Sequence, residues 1–268
     1  MGVSPEIAIF LIRCLGTAGV VIAVSLAVGR LGPVIGGALA GLPVVLGPGF
    51  WVLSGTHDVD FVALSAGAAL RAQWVTQVFL LANIIAATRL SPWVTMVVTG
   101  VLWLAGAVPL AGLNVGVPLA WGIYAAITAV CYRIGAGFAP DVPPPQGVAG
   151  WRLLALRGLL AGVLVGAITL GADLLGARVA GALMAYPVAF SLIALTLHQA
   201  YGPGVTASAL LSMLLGTTSL AVFCGLMALL VAPLPRLPAF ALAVGAAVAA
   251  TLAVIVIRRW LGLRRQVA

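Results

Sequence analysis

Long apolar stretches, each about the length of a membrane-spanning helix, make up most of this chain. The hydrocarbon core of a bilayer is roughly 30 Å thick and an α-helix rises about 1.5 Å per residue, so about 20 apolar residues can cross it. Such stretches occur at 7–28, 31–54, 61–88, 92–111, 115–132, 153–172, 175–198, 205–230 and 238–257. The sequence therefore predicts an all-α polytopic membrane protein with about nine transmembrane helices, a count that tilted or interfacial segments can shift by one.

The composition supports lipid rather than water as the main solvent. Hydrophobic residues make up 63% of the 268 residues, charged residues make up 7%, and the mean hydropathy is +1.25. The net charge of +8 comes from arginines at the ends of apolar stretches, not from a clustered basic face, so a nucleic-acid partner is not expected. All 13 basic residues are Arg, and with the abundant Ala and Gly this bias is typical of a GC-rich bacterial genome. We expect a protein of the bacterial inner membrane.

The two halves of the chain repeat each other at an offset of 144 residues. Without any gap, this offset aligns Arg13 with Arg157 and Pro43 with Pro187, and it matches GGALAGLPV at 36–44 with AGALMAYPV at 180–188. Co-aligned Gly, Pro and Arg are informative even in an Ala-rich and Leu-rich chain. We divide the chain into a first repeat unit at 1–112, a connecting span and cytoplasmic loop at 113–150, and a second repeat unit at 151–268.

The odd connecting span determines how the two units are oriented. If each unit has four helices, one extra crossing makes the second unit begin on the opposite side of the membrane, and the repeats are inverted. The positive-inside rule supports an N-out, C-in orientation with the first stretch retained as a span. The cytoplasmic side then carries Arg30, Arg89, Arg133, Arg152, Arg258, Arg259, Arg264 and Arg265, whereas the outside carries Arg178, Arg236, Asp58, Asp60 and Asp173.

Prolines interrupt two apolar stretches at matched positions. Pro43 is followed by Gly47, and Pro187 lies between Tyr186 and Ser191. An interior proline lacks an N–H donor and leaves an unpaired carbonyl, so the helix is expected to break there. Freed backbone groups could line a substrate site between the units. Alternatively, the prolines kink helices whose small residues allow close packing.

Three arginines lie inside apolar stretches, where a charge is costly. Arg13 and Arg157 are near helix ends, where their side chains can extend to headgroups or serve function. Arg71 is near the middle of 61–88, unless that stretch begins with an interfacial segment. Because the apolar stretches contain almost no acids, these arginines favour an anionic ligand such as a carboxylate, a phosphate or a lipid headgroup.

The remaining polar residues give weaker signals. His57, Asp58 and Asp60 form the densest polar group; they could bind a metal or sense pH, but without motif spacing a solvated turn is expected. His198 lies at the end of the second interrupted stretch. Asn83 is expected to make an interhelical hydrogen bond rather than a ligand contact. No hydrolase, metalloprotease, P-loop or dinucleotide motif occurs in a plausible context, so we expect no enzyme, catalytic residue, metal or cofactor.

The segment GALMAYPVAFSLIALTLHQAYGPGVTASALLSMLLGTTSLAVF at 181–223 resembles the GlpM-type family of small inner-membrane proteins. The shared pattern is a Gly-rich and Leu-rich approach, a proline followed by an aromatic residue, and an apolar stretch ending near a histidine and a glycine. Segment 36–70 resembles the same pattern more loosely. The resemblance implies a tandem of two such units. The inverted plan is also similar to the drug/metabolite transporter superfamily, although that superfamily typically has ten spans with both termini inside.

Together these features predict an alternating-access transporter or permease for a small anionic metabolite or an anionic lipid headgroup. The alternative is a non-transporting membrane scaffold or accessory protein for an envelope polysaccharide or lipid pathway. A membrane-embedded transferase is disfavoured because no acid/base constellation is visible. The expected partners are the substrate and membrane lipids, and a homodimer remains open. The candidate binding residues are Arg71, Pro43, Pro187, Tyr186, Arg13, Arg157, Gly47, Ser191, His198 and Asn83.

Overall fold

A computed structural model of the protein describes residues 11, 14–19, 22, 43–140 and 150–265. This part of the chain is helical and contains no strand. Its helices are α1 (Leu46–Thr56), α2 (Val59–Ala86), α3 (Pro92–Ala111), α4 (Val117–Ala136), α5 (Trp151–Leu170), α6 (Ala172–Met184), α7 (Val188–Gly216), α8 (Thr218–Leu230) and α9 (Arg236–Arg265).

Six stretches in the described part are long and apolar enough to cross a membrane. They are α2, α3, α4, α5, the continuous stretch of α7 and α8, and Arg236–Ile257 of α9. The predicted all-helical fold is thus confirmed, and its apolar helices are those of a membrane protein. Most of the predicted span 7–28 and the first half of 31–54 lie outside the described residues, so the count of nine spans stays a prediction.

Several helix boundaries follow directly from local sequence. The stretch predicted at 92–111 is helix α3, with Pro92 in its first turn, where a proline costs no hydrogen bond. The stretch predicted at 175–198 is divided, because α6 ends at Met184 and α7 begins at Val188. Pro187 is the N-cap of α7, with ψ at 54°, outside the helical range. The predicted interruption at Pro187 is therefore present.

Helix α2 is the centre of the bundle and packs against α1, α3, α4, α6, α7 and α8. Its first half is rich in small residues, and Ser65, Ala66, Ala68 and Ala69 are fully buried. A Cβ added to Gly181 of α6 would overlap the backbone of Ser65. Backbones can approach this closely only where side chains are small, so this composition places α6 directly against α2.

Contacts between connections define two ends of the bundle. The Asp58 end contains the α1–α2 connection, and Arg236 at the start of α9 donates there to Ser54 Oγ at 3.0 Å. The Pro140 end contains the chain after α4, where Ser208 Oγ donates to the Pro140 carbonyl. Helix α2 runs from the Asp58 end towards the Pro140 end.

The segment 203–230, formed by the second piece of α7 and all of α8, runs in the opposite direction to α2. Leu211 and Ile84 both approach Gly135 near the Pro140 end, at 3.2 and 3.3 Å from a Cβ added there. Further along, Trp121 Nε1 donates to the Ala221 carbonyl at 2.9 Å, close to the start of α4. The first and last residues of this segment lie 144 residues after the first and last residues of α2. Helix α9 likewise begins 144 residues after the start of α3.

Two glycines permit sharp changes of direction within helices. Gly176 in α6 has φ 73° and ψ 156°, and Gly202 in α7 has φ 81° and ψ −179°. These left-handed φ values are strained for residues with a Cβ. Pro203 follows Gly202, so α7 consists of two pieces that meet at this position.

Candidate functional site

Arg71 lies on α2 and binds the C-terminal end of α3. Its Nε donates to the Leu110 carbonyl at 3.2 Å, and its Nη2 donates to the Ala111 carbonyl at 2.9 Å. The last carbonyls of a helix lack partners within the helix and carry the negative end of its dipole. The guanidinium, on a residue only 5% exposed, supplies both hydrogen bonds and opposite charge. Arg71 therefore has a clear structural role.

The contacts of Arg71 define its position along the bundle. Helix α3 has 20 residues, about 30 Å, which is the length needed to cross a hydrocarbon core. Arg71 binds the last turn of α3 and is therefore level with one end of that helix. Helix α2 begins twelve residues earlier, at Val59, and so extends about 18 Å beyond Arg71. Arg71 is thus in the interior of α2 but at the end of α3.

Arg178 of α6 binds the chain just after α3. Its Nη1 donates to the Gly112 carbonyl at 3.0 Å, and its Nη2 donates to Asn114 Oδ1 at 2.6 Å. Arg71 and Arg178 thus contact consecutive carbonyls, at Ala111 and Gly112. Arg71 comes from the first half of the chain and Arg178 from the second. We call these two residues the arginine pair.

No carboxylate neutralises the arginine pair among the described residues. The ion-pair contact found there joins His57 Nε2 to Asp173 Oδ1 at 3.3 Å and involves no arginine. The end of a helix carries about half of a negative charge, whereas two guanidinium groups carry two positive charges. The pair therefore keeps an excess positive charge at the C-terminal end of α3.

The polar group at 57–60 behaves only partly as a solvated turn. Asp58 caps α2, because its Oδ1 accepts from the Phe61 N–H at 2.7 Å. His57 is less exposed than expected: its ring stacks on Phe61 with centroids 4.2 Å apart, and its Nε2 faces Asp173 without an aligned hydrogen bond. In the described part of the chain, no group of three or more His, Cys, Asp or Glu could hold a metal.

The interruption at Pro187 brings three predicted residues together. The Pro187 carbonyl accepts from the backbone N–H of Ser191 at 2.9 Å and from its Oγ at 3.0 Å, so Ser191 pairs the carbonyl at the break. Tyr186 packs its ring edge to face against Trp103 of α3, with centroids 5.2 Å apart. Its hydroxyl is 3.1 Å from a Cβ added to Gly100. The break therefore lies against α3.

Pro43 and Gly47 occupy the corresponding place before α1. Both are buried, and the Gly47 N–H donates to the Pro43 carbonyl at 2.6 Å. Helix α1 begins at Leu46, so Pro48 falls in its first turn, where proline is tolerated. Residues 23–42, which precede Pro43, lie outside the described part of the chain.

The other predicted residues do not join the arginine pair. Asn83 is buried, and its Nδ2 donates to the Phe79 carbonyl at 3.0 Å, within α2 instead of between helices as expected. His198 is half-buried in the first piece of α7. Arg13 lies outside the described residues, and Arg157 is in α5 with a side chain that is not described.

A buried polar layer lies deeper in the bundle, between α2, α4 and the α7–α8 junction. Gln77 Nε2 donates to Tyr124 Oη at 2.9 Å and to Thr217 Oγ1 at 2.6 Å. Tyr124 Oη and Thr217 Oγ1 are 2.9 Å apart. On the α3 side, Trp103 Nε1 donates to Thr76 Oγ1 at 3.0 Å. This layer joins the first half of the chain to the second.

The sequence contained a partial signal for the residues that were missed. Gln73 and Gln77 are four residues apart in an apolar stretch, the spacing that places two side chains on one helix face. That pattern could have predicted a polar layer. From the sequence alone, Arg178 is a charge at the end of a span. Its partners at Gly112 and Asn114 are more than 60 residues away, and nothing in the local sequence indicates that contact.

Comparison of the whole chain with protein-family models, with curated proteins and with solved structures finds no match.

Proposed function

We propose that this protein is a bacterial inner-membrane transporter for a small organic or phosphate-bearing anion, working by alternating access. The arginine pair carries the proposal. Two guanidinium groups, one from each half of the chain, bind consecutive carbonyls with no carboxylate partner in the described part. Export of a cation in exchange for protons would usually need a carboxylate within the membrane, and the described apolar helices offer none near this position.

The electrostatics of the pair favour an anion as its ligand. Like charges that share adjacent acceptors repel each other, and partial removal from water increases this repulsion. A carboxylate or phosphate bound nearby would offset it through charge-assisted hydrogen bonds. Since the pair is level with the end of α3, we assign it to the mouth of the transport path, where it would attract and orient the anion before passage.

The relation between the two halves supports alternating access. Segments 59–86 and 203–230 share bounds at the 144-residue offset and run in opposite directions. Opposed directions of equivalent helices are expected of inverted repeats, which transporters use to expose one site to each side in turn. The proposal includes nine spans and an N-out, C-in orientation, with the Asp58 end outside. It is consistent with Arg89, Arg133 and Arg152 lying near the Pro140 end.

The proposed path passes between the halves next to the break at Pro187. Tyr186 and Trp103 meet there, and Trp103 is hydrogen-bonded to Thr76 of the central helix. Broken helices near the middle of a membrane provide backbone groups and joints for conformational change. We infer that the first piece of α7 changes its angle to α3 during transport.

Uptake of anions by proteoliposomes tests the proposal. A panel of radiolabelled dicarboxylates, phosphate and sugar phosphates would be compared for wild type, Arg178→Gln and Arg133→Gln. Arg133 is an exposed arginine at the Pro140 end and serves as the matched control. We expect Arg178→Gln to lower uptake at subsaturating anion by about tenfold, the effect of losing roughly 1.4 kcal/mol of attraction. Arg133→Gln should retain wild-type uptake.

Two results would argue against this function. Equal uptake by wild type and Arg178→Gln would separate the arginine pair from transport. No uptake of any anion, together with a stable stoichiometric partner purified from native membranes, would instead favour the accessory function in an envelope polysaccharide or lipid pathway.

A further inference from the structure

His57 and Asp173 form a contact between the two halves of the chain at the Asp58 end. His57 follows α1, and Asp173 lies in the first turn of α6. His57 Nε2 and Asp173 Oδ1 are 3.3 Å apart. The side chain of His57 is 9% exposed, whereas that of Asp173 is 88% exposed. A mostly buried imidazole therefore meets a carboxylate that is surrounded by water.

The imidazole is also held by neighbours in its own half of the chain. Its ring stacks on Phe61 with centroids 4.2 Å apart, and its Nδ1 is 2.9 Å from Thr56 Oγ1. The His57 backbone N–H donates to the Leu53 carbonyl at 3.0 Å, at the end of α1. These contacts fix the ring so that each of its two nitrogens faces an oxygen, one of Thr56 and one of Asp173.

Protonation of the ring changes how it can bind these oxygens. A neutral imidazole carries one N–H, so in either tautomer it cannot donate at both nitrogens. A protonated imidazole carries two N–H groups and a positive charge, so it can donate to Thr56 and to Asp173 together. Nε2 and the Asp173 carboxylate are close but not aligned for a hydrogen bond, so the contact depends on the charge of the ring. Protonation therefore strengthens it as an ion pair.

Asp173 lies on a short segment with a glycine at each end. Gly171 ends α5 with ψ at 6°, and Gly176 has φ 73° and ψ 156°, so the helical path is interrupted on both sides. Between these glycines, Ala172 is buried and 173–175 is exposed. A few residues at the end of an element can absorb a change of direction in this way. The carboxylate is thus on a segment that can turn, whereas the imidazole is fixed.

Other charged groups of the described part lie further from the ring. Asp58 and Asp60 are at the start of α2, and neither forms an ion-pair contact with His57. Arg236 of α9 binds the end of α1, and Arg178 lies further along α6 and binds the chain after α3. The two carboxylates attract a protonated ring and the two arginines repel it. The carboxylate in contact with the ring therefore decides the interaction.

We propose that His57 and Asp173 form a proton-dependent clasp between the two halves of the chain. At acidic pH the protonated imidazole binds the carboxylate and holds the start of α6 against the α1–α2 connection. At higher pH the neutral ring binds it weakly, and segment 172–175 can turn away. The clasp goes beyond the proposed anion transport and does not require it.

Thermal unfolding of the detergent-purified full chain tests the ion pair. It is measured at about pH 5.5 and about pH 8, near the two ends of the range in which imidazoles titrate. The folded state gains a bound proton, so the pair stabilises it at acidic pH and stops doing so as the pH rises. We expect Asp173→Asn to lower the Tm by about 2 °C at the acidic pH only. In His57→Phe, which keeps a stacking ring without nitrogens, Asp173→Asn should change nothing.

Spin labels test whether the pair holds the two halves together. Val59 and Leu174 are exposed neighbours of the pair, and the native cysteines are buried, so labels on Val59→Cys and Leu174→Cys should report their separation. We expect stronger dipolar broadening of the electron paramagnetic resonance spectrum at acidic pH, because the clasp brings the labels closer. With Asp173→Asn added, the broadening should be the same at both pH values.

The opposite results overturn the clasp. An effect of Asp173→Asn on the Tm that is absent, equal at both pH values, or unchanged in His57→Phe means that protonation of His57 does not govern the contact. Broadening that does not depend on pH, or that still does so with Asp173→Asn, means that the pair does not hold α6 in place. If both expectations are met while no variant takes up any anion, the clasp stands and the transport proposal fails.

Discussion

Arg71 and Gln73 are two residues apart in the central helix, yet burial has opposite consequences for them. Arg71 donates to the Leu110 and Ala111 carbonyls at the end of α3, and the Leu110 carbonyl also accepts from the Leu113 N–H at 3.2 Å. The side-chain amide of Gln73 has no hydrogen-bond partner in the described part of the chain. A buried polar side chain stabilises a fold only when it is paired, so Arg71 contributes to stability and the Gln73 amide does not.

The same substitution one turn apart should have different effects on stability. Gln73→Met removes an unpaired buried amide. This variant should therefore be as stable as wild type or more stable, with a gain of up to about 1–3 kcal/mol. Gln77→Met removes two hydrogen bonds, to Tyr124 and Thr217, and should lower stability by about 1–2 kcal/mol. Thermal unfolding in one detergent measures both changes. Equal destabilisation by the two substitutions would contradict the assigned hydrogen-bond network.

At the scale of helices, local sequence predicts where a helix ends better than which helices it packs against. Apolar length and Pro92 predict the bounds of α3, and Pro187 predicts the break before α7. Arg71 required more than local sequence, because its depth depends on α2 extending past the end of α3. The contact between Gly181 and Ser65 was also beyond sequence reasoning, since both lie among many similar small residues. Which small residue allows which helix to approach is decided by packing.

Two glycine substitutions test this close approach of α6 to α2. Gly181→Ala places a methyl group on the Ser65 backbone, which cannot move without displacing the central helix. We expect a loss of at least about 2 kcal/mol, as for overpacking of a tight core. Gly245→Ala is the control, because its Cβ meets open space within α9 and alanine favours helix by about 1 kcal/mol. Circular dichroism during heating would distinguish them; similar Tm values would refute the packing.

For the whole molecule, the sequence predicts a duplication, but it does not predict where the two halves meet. Aligned Gly, Pro and Arg residues indicate the 144-residue offset, and segments 59–86 and 203–230 have bounds that fit it. The halves meet at Gln77, Tyr124 and Thr217, and Tyr124 belongs to α4. This helix, from the middle of the chain, thus supplies part of the contact between the two halves.

Orientation in the membrane can be measured directly with single cysteines. Asp60 is exposed at the Asp58 end and Leu90 is exposed at the opposite end. In cells with a permeabilised outer envelope, a membrane-impermeant maleimide should label Asp60→Cys but should label Leu90→Cys only after the inner membrane is opened. The native Cys14, Cys131 and Cys224 are buried and should give little background. The reverse labelling pattern would place the C-terminus outside.

The match between α3 and the bilayer makes membrane thickness a variable for this protein. Both members of the arginine pair bind at or just beyond the last turn of α3, so the length of that helix sets their depth. In lipids with longer acyl chains, the hydrocarbon would rise past this turn, and the bilayer would have to thin locally or leave two charges in hydrocarbon. In lipids with shorter acyl chains the arginine pair would be surrounded by water, which weakens its electrostatic attraction for an anion. Under the proposed anion transport, hydrophobic mismatch should therefore change the affinity for the anion without any change in sequence.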